Sequence, residues 1–426
     1  MKKRVLVYPC GTEIGLEIYR ALRYTNEYEI IGGADGYDHG RFVFDNLICG
    51  LPFIKDNSSE ADVKAFENAI SEYNIDFIYP AMDGVIAVFA KYRDIFREIL
   101  IIADTATAEM CRSKKKTYSV LKDVIDVPRI YASVEEVNEF PVFVKPDQGQ
   151  GSVGARKIEN LESLKTVDFC KNVVMEYLPG KEYTVDCFTN AEGTLIYAKG
   201  RGRKRIKSGI SVNAVFDDNP QFMIIAQKIN SAISQKGGWF FQVREDNNGK
   251  LKLLEVAARI AGTSAISRNI GANLPLMSLN LFNGVKIKDV ILNDYYIELD
   301  RALGNAFKLD VRYSSVYIIY DDTIVKDGVI NTSVIKFVYQ CINNRIKVYL
   351  LTKKNSDLDN ELRKYRLIGI FDRIFQAENG VQKTTDFITD KHAIFIASSY
   401  SERKLVKETL KIPVLDVHML ECLIKE

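Results

Sequence analysis

Pro141-Val142-Phe143-Val144-Lys145-Pro146-Asp147-Gln148-Gly149-Gln150-Gly151-Ser152-Val153-Gly154 joins a short apolar strand to one lysine and a loop of small residues. Such a loop can lay backbone N–H groups around phosphate oxygens, because glycine adopts dihedrals closed to other residues and puts no side chain in the way. The lysine at the strand end adds a point charge where the phosphates would sit. Nucleophilic chemistry has no comparable support, since no Ser/His/Asp or Cys/His arrangement stands out. The seven cysteines, at Cys10, Cys49, Cys111, Cys170, Cys187, Cys341 and Cys422, are scattered, and there are only three histidines. Zinc-ligand spacing is absent, and the odd count argues against a disulfide framework.

The elements that would position these residues change in character along the chain. Up to about residue 105 strands and helices alternate: Arg4–Tyr8, Ile14–Arg23, Glu29–Gly32, a helix around Ala61–Tyr73, Phe77–Tyr79 and a helix near Val85–Tyr92. That rhythm predicts a parallel sheet, whose ligand crevice forms at the C-terminal ends of its strands. Pro9-Cys10-Gly11-Thr12-Glu13-Ile14-Gly15 and Pro80-Ala81-Met82-Asp83 fall there, and the first lacks the full dinucleotide glycine pattern, which excludes a nicotinamide site. From about 106 to 300 the strands are hairpin-like: Val173–Tyr177, Tyr183–Thr189, Thr194–Gly200, Ser211–Phe216, Trp239–Asp246 and Lys250–Ala257, with a tight turn at Asp246-Asn247-Asn248-Gly249 and a helix near Pro275–Phe282. The basic run Arg201-Gly202-Arg203-Lys204-Arg205-Ile206-Lys207 is expected between strands. After about 310 the alternating rhythm returns with Val316–Tyr320, Ile346–Leu351, Ile394–Ile396 and Val414–Asp416.

With 426 residues the chain needs two to four cores, and 47% hydrophobic with 27% charged residues is a globular composition. A net charge of +2, from 58 basic and 56 acidic residues, provides no broad basic field, so nucleic acid is not an expected partner. The start Met1-Lys2-Lys3-Arg4 leads into an apolar run too short for a signal peptide, and no run approaches a membrane span. A cytoplasmic protein is expected.

Over roughly residues 1 to 300 the motifs, in order, resemble the ATP-grasp ligases of the carbamoyl-phosphate-synthase type. Cys111-Arg112-Ser113-Lys114-Lys115-Lys116-Thr117-Tyr118 looks like the family's early lysine motif, with Lys114 at the matching place. Lys145 and the loop through Gly149, Gly151 and Ser152 follow. Val173-Val174-Met175-Glu176-Tyr177-Leu178-Pro179-Gly180-Lys181-Glu182-Tyr183 matches the stretch where the family binds adenine through backbone at Glu176, Tyr177 and Leu178, and ribose hydroxyls through a carboxylate at Glu182. Gln242, in Gln242-Val243-Arg244-Glu245-Asp246, and Glu255, in Leu253-Leu254-Glu255-Val256-Ala257-Ala258-Arg259, take the family's metal-binding places. Magnesium takes hard oxygens and bridges carboxylates to phosphates, which singles out Glu255. Where the family has an asparagine two residues later, this chain has Ala257, so one oxygen ligand is missing. Arg203 and Arg259 match arginines that hold the transferred phosphoryl group and the substrate carboxylate.

Residues 316 to 426 resemble haloacid-dehalogenase-like (HAD-like) phosphatases. Val316-Tyr317-Ile318-Ile319-Tyr320-Asp321-Asp322-Thr323 fits the first strand, with Asp321 at the second aspartate and Ile319 where the nucleophilic aspartate belongs. Isoleucine forms no aspartyl phosphate. Thr352 and Lys383 match phosphate-binding residues, while Ala397 and Ser398 replace the metal carboxylates. The expectation is a phosphatase-dead domain that serves as scaffold, dimerisation element or ligand sensor.

The resemblances together imply an α/β multidomain chain: a parallel-sheet pre-ATP-grasp domain at 1–105, an α+β ATP-grasp domain at 106–305 and a degenerate Rossmannoid HAD-like domain at 312–426. The function they imply is ATP-dependent carboxylate–amine ligation through an acyl phosphate, with ATP and Mg2+, for which Mn2+ can substitute. Partners would be small-molecule carboxylate and amine substrates and a second copy in a homodimer, without nucleic acid or membrane. The alternative is an ATP-binding protein with weakened or lost ligase turnover. Carboxy- or carbamoyl-phosphate synthesis is disfavoured, because a glutaminase domain and the doubled synthetase length are absent.

Overall fold

A computed structural model describes every residue except 1, 150, 208, 303, 305, 306, 308, 354–357, 378–381 and 426. The chain divides into two compact units, 1–303 and 304–426.

In the first unit, strands β1 (Lys3–Tyr8), β2 (Tyr28–Ala34), β3 (Asn46–Cys49), β4 (Phe77–Pro80) and β5 (Ile99–Leu100) form a parallel sheet in the order β3-β2-β1-β4-β5. Val5, Leu6, Val7 and Tyr8 are all buried, as a strand covered on both faces requires. β3 and β5, too short to show a period, are additions to the strands read from sequence. The sheet order reverses between β2 and β4 around β1, so a crevice opens at the C-terminal ends of β1 and β4. Two loops meet there: Thr12 caps the helix Glu13–Leu22 by accepting from Gly15 N, and its hydroxyl donates to Ala81 O at 3.0 Å.

Two helices, Thr105–Arg112 and Lys114–Leu121, lead into a four-stranded antiparallel sheet of β6 (Ile130–Tyr131), β7 (Val142–Pro146), β8 (Arg156–Ile158) and β9 (Asn172–Glu176), ordered β6-β9-β7-β8. A six-stranded antiparallel sheet follows, built of β10 (Glu182–Thr189), β11 (Leu195–Lys207), β12 (Ile210–Asp217), β13 (Gly237–Glu245), β14 (Leu251–Ala257) and β15 (Glu298–Asp300), ordered β14-β13-β10-β11-β12-β15. Its strands alternate cleanly. Val185, Cys187, Trp239 and Phe241 pack with Phe222, Ala226 and Ile229 of the helix Pro220–Ala232, while Glu182, Thr184, Phe240 and Gln242 face a cleft on the other side.

The basic run does not lie between strands: β11 continues through Lys207, paired to β12 with irregular register at Arg203 and Arg205. The reason is the alternate placement of its arginines, which satisfies each charge on the same strand: Arg201 binds Asp186, Arg203 binds Glu182 and Arg205 binds Asp300. The expected turn at Asp246-Asn247-Asn248-Gly249 is present, with Gly249 at φ +76°.

In the second unit, β16 (Ser315–Ile319) is the central strand of a parallel sheet with β19 (Lys347–Thr352), β20 (Arg373–Gln376), β21 (Ala393–Ile396) and β22 (Val414–Leu415), ordered β20-β19-β16-β21-β22. A small hairpin, β17 (Val325–Lys326) and β18 (Val329–Ile330), follows β16. Beyond the end of β16, Asp321 Oδ2 accepts from the Thr352 hydroxyl at 3.1 Å, and Thr323 Oγ1 accepts from Ser398 N at 3.0 Å. Ile319 and Ala397 are buried, and the Lys383 amide donates to Asp386 at 2.9 Å.

All seven cysteines are free. Among the described residues no helix is long and apolar enough to cross a membrane.

Candidate active site

The cleft starts at the loop after β7. Asp147 ties that loop to the helix Lys114–Leu121: its carboxylate accepts from the Ser113 hydroxyl at 2.8 and 2.9 Å and from Lys115 N at 2.8 Å, while Ser113 caps the helix by accepting from Lys116 N. Lys114 is thereby placed beside the loop, and its Nζ donates to the carbonyls of Asp147 at 3.3 Å and Gly149 at 3.4 Å. One turn along the same helical face, the Tyr118 hydroxyl donates to Leu254 O at 2.7 Å and accepts from Lys145 Nζ at 2.8 Å; Lys145 also reaches Leu254 O at 2.8 Å. Lys145 is only 8% exposed. Burial pushes its pKa down from 10.5 to about 7, against the upward pull of the Glu255 charge.

Gly151 at φ +63°, Ser152 at +58° and Gly154 at +77° bend the loop through left-handed backbone, and Gln150 lies outside the described residues. The turn between β11 and β12 meets this loop so closely that a Cβ on Gly209, itself at φ +76°, would lie 2.0 Å from Gly151 O. Arg203 connects that turn to the sheet: Nη2 donates to Gly209 O at 3.0 Å, while Nη1 donates to Glu182 and, at 3.3 Å, to Gln242 Oε1. Arg244 Nη1 stands 3.6 Å from the other Glu182 oxygen.

Gln242 and Glu255 are direct cross-strand partners on β13 and β14, and an irregular register just beyond them turns both Leu254 and Glu255 toward the cleft. Among the described residues no group of three or more His, Cys, Asp or Glu gathers as a metal cage. One carboxylate and one amide oxygen nevertheless suit a magnesium ion, which keeps waters and takes further oxygens from phosphates. Ala257 adds no oxygen to this set.

The parallel sheet supplies the opposite wall. Arg259 forms a bidentate pair with Asp83, Nε to Oδ1 and Nη2 to Oδ2 both at 2.6 Å, and Asp83 opens the helix that follows β4. Burial alone would raise the Asp83 pKa, but the Arg259 charge and hydrogen bonds outweigh it and hold the carboxyl below its ordinary value. Arg301, just after β15, donates to Gly262 O at 3.1 Å and to Glu13 Oε2 at 3.4 Å.

A single cavity of about 360 Å³ collects these groups. Lys114, Lys145, Gly149, Gly151 and Ser152 line it from the loop side, Tyr177, Leu178 and Glu182 from the β9–β10 connection, and Arg203, Gln242, Glu255 and Arg259 from the large sheet. Glu176 is not part of the lining. Its carboxylate is turned aside, accepting from Arg129 N at 2.7 Å and from Lys252 Nζ at 2.6 Å. Tyr118, Asp83, Glu13, Arg244 and Arg301 belong to the site without having been singled out as site residues. The Lys114–Tyr118 spacing of one helical turn was a usable signal for the first, and the strand-end position of Asp83 and Glu13 for the next two. Arg301 carried none.

Residues 168–300 match the family described as ATP-grasp in the biosynthetic pathway with Ter operon. Among solved structures, the chain is similar to the Campylobacter jejuni biotin carboxylase complex with β-γ-ATP, at 18% identity and TM-score 0.56, covering 69% of this chain and 74% of that one. The biotin carboxylase domain dimer of Hydrogenobacter thermophilus 2-oxoglutarate carboxylase, in complex with MgADP, ADP and bicarbonate, is similar at 17% identity and TM-score 0.56, covering 70% and 74%. Staphylococcus aureus N5-carboxyaminoimidazole synthetase complexed with ADP matches at 14% identity and TM-score 0.55, covering 68% and 81%. No curated protein matches the chain by sequence. The chain therefore shares the mixed α/β fold of these nucleotide complexes, and its residues 168–300 carry the ATP-grasp family pattern.

Proposed function

We propose that residues 1–303 are an ATP-dependent carboxylate–amine ligase working through an acyl phosphate, with residues 1–105 shaping the acceptor side and the remainder of that unit holding the nucleotide. The observation that supports it most is the convergence of Lys114, Lys145, the glycine loop, Glu255, Arg203 and Arg259 on one cavity. In the first half-reaction a carboxylate oxygen attacks the γ-phosphorus, and the bond from that phosphorus to the ADP oxygen breaks. In the second, an amine nitrogen attacks the acyl carbon, the carbon–oxygen bond to phosphate breaks, and the amine loses a proton as phosphate leaves. No side-chain nucleophile is needed. The chain's share is positioning and charge: the loop amides, Lys114 and Lys145 hold phosphate oxygens, and Arg203 and Arg259 face the transferred group and the acceptor carboxylate. The backbone at Tyr177 and Leu178 takes adenine, and Glu182 the ribose. Glu255 and Gln242 are the residues that would hold a Mg2+, or a Mn2+ in its place, and such an ion would supply positive charge to the phosphates.

Screening carboxylate and amine pools for ADP release, with mass spectrometry of the products, tests this reading. Glu255→Gln should lower turnover by about a hundredfold or more while leaving ADP affinity within a few-fold. A second reading, nucleotide binding without ligase turnover, draws on Ala257, which withdraws one oxygen from the metal side. Magnesium-dependent ADP binding with no ADP release from any pool is the outcome that favours it.

For residues 312–426 we propose a degenerate HAD-like domain without phosphatase activity, serving as scaffold, dimerisation element or ligand sensor. Its support is the central strand β16 with Asp321 beyond its end, Thr352 on the neighbouring strand, and Ile319 and Ala397 where carboxylates would be required. We also propose a cytoplasmic protein with small-molecule substrates and no nucleic-acid partner, the last because a net charge of +2 provides no broad basic field.

A further inference from the structure

The arginine–carboxylate pairs of the cavity differ in how tightly they are closed. Arg203 and Glu182 are 8% and 13% exposed, and Arg259 and Asp83 are 13% and 19% exposed with a bidentate contact at 2.6 Å. Arg301 and Glu13 are looser than these two: they touch through one nitrogen at 3.4 Å and are 24% and 43% exposed, whereas Glu182, which Arg244 also approaches at 3.6 Å, is held from two sides. A pair so long and so solvated contributes little to stability and opens readily. Its backbone anchors are firm. Arg301 N donates to Val212 O at 2.7 Å, and Glu13 begins the helix capped by Thr12. Gly262 leaves the space beside the pair unfilled, since a Cβ there would lie 3.4 Å from Glu13 Oε2 and 3.6 Å from Arg301 Nη1.

We propose that this corner of the cavity binds the charged end of an α-amino acid, the ammonium on Glu13 and the carboxylate on Arg301. This rests on reading the cavity as a ligase site, and it names the class of one substrate. An α-amino acid carries its two opposite charges close together, so it can enter between a touching acid and base and satisfy both. A plain carboxylate would face Glu13 with like charge, and a plain amine would face Arg301 so. Recognition of both groups by charge-assisted hydrogen bonds also rejects blocked analogues, because each would leave one charged side chain without its partner. The side chain of the amino acid then extends toward Arg259 and Met82, which line the same cavity.

The test is a thermal-shift screen of the full chain with the proteinogenic amino acids in both enantiomers, each beside its N-acetyl and carboxamide derivatives, with and without MgADP. At least one amino acid should raise the midpoint by about 2 °C or more, and its two derivatives should not. Glu13→Gln and Arg301→Gln should each erase that shift while keeping the shift caused by MgADP. Gly262→Val, which keeps both charges and covers them, should erase it as well, and it decides the matter if the charge variants fail to fold. No shift with any amino acid, an equal shift with a blocked derivative, or retention of the shift in Gly262→Val overturns the proposal. If MgADP alone leaves the wild-type midpoint unchanged, the nucleotide reading fails instead, and the amino-acid arm still decides this one.

Discussion

A lysine whose pKa is pushed down to about 7 by burial is poised to take up a proton when a polyanion arrives. Lys145 faces Tyr118, Glu255, Glu182 and Lys114, and phosphate oxygens would add negative charge beside it. Because its folded pKa lies below the unfolded value of 10.5, the unfolded chain holds the proton more tightly between about pH 7 and 10.5. This group therefore adds stability to the unliganded protein as pH rises through that window. Nucleotide binding has the opposite slope. ADP affinity should fall by on the order of tenfold per pH unit above about 7.5, with about one proton taken up per ADP bound near pH 8.5. Calorimetry in buffers of different ionisation enthalpy measures that uptake, and Lys145→Met should abolish it; equal heats in all buffers would count against a protonated lysine at the phosphates. Lys145 and Glu255 were legible in the sequence because each sits in a local pattern, one before a glycine loop and one among aliphatic residues. The Arg259–Asp83 pair was harder: its members lie 176 residues apart, and only folding shows that they meet.

Between elements, the decisive contact joins the glycine loop after β7 to the turn between β11 and β12. With Gly209 at φ +76° and a Cβ there only 2.0 Å from Gly151 O, the two turns pack backbone against backbone with no room for a side chain between them. Gly209→Ala should push the loop from the cavity and weaken ADP binding by about tenfold or more, an expectation from strained backbone and steric overlap together. Titration calorimetry reads it directly, and wild-type affinity in the variant would show that the contact does not shape the site. Sequence reasoning placed the basic run in a loop because glycine and charge lower strand propensity. It missed that Arg201, Arg203 and Arg205 occupy alternate positions of one strand and each meet a carboxylate, a compensation visible only once β10 lies on one side of β11 and β12 with β15 on the other. Strands β10, β12, β13 and β14 of the large sheet, by contrast, were readable, because the core face and the cleft face differ in polarity, while the three-residue β15 was too short to read.

At the scale of the whole chain, two compact units carry different amounts of chemistry. The first concentrates charge in a cavity at the crevice of a parallel sheet, a location the strand order alone points to. The second has a parallel sheet with Asp321 beyond its central strand, and under the proposed degenerate HAD-like reading Ile319 and Ala397 stand where groups that attack phosphorus and bind metal would be required. The full chain should therefore hydrolyse p-nitrophenyl phosphate no faster than buffer with magnesium present, and robust hydrolysis that survives Glu255→Gln would show that the second unit is active after all. The central claim, that the cavity of the first unit holds a magnesium nucleotide by its phosphates, is tested most directly by titrating MgADP into the wild type and Lys145→Ala. One site per chain in the wild type, weakened by about tenfold or more in the variant, is the expected result; equal affinity in the two proteins, or no binding to either, would contradict it.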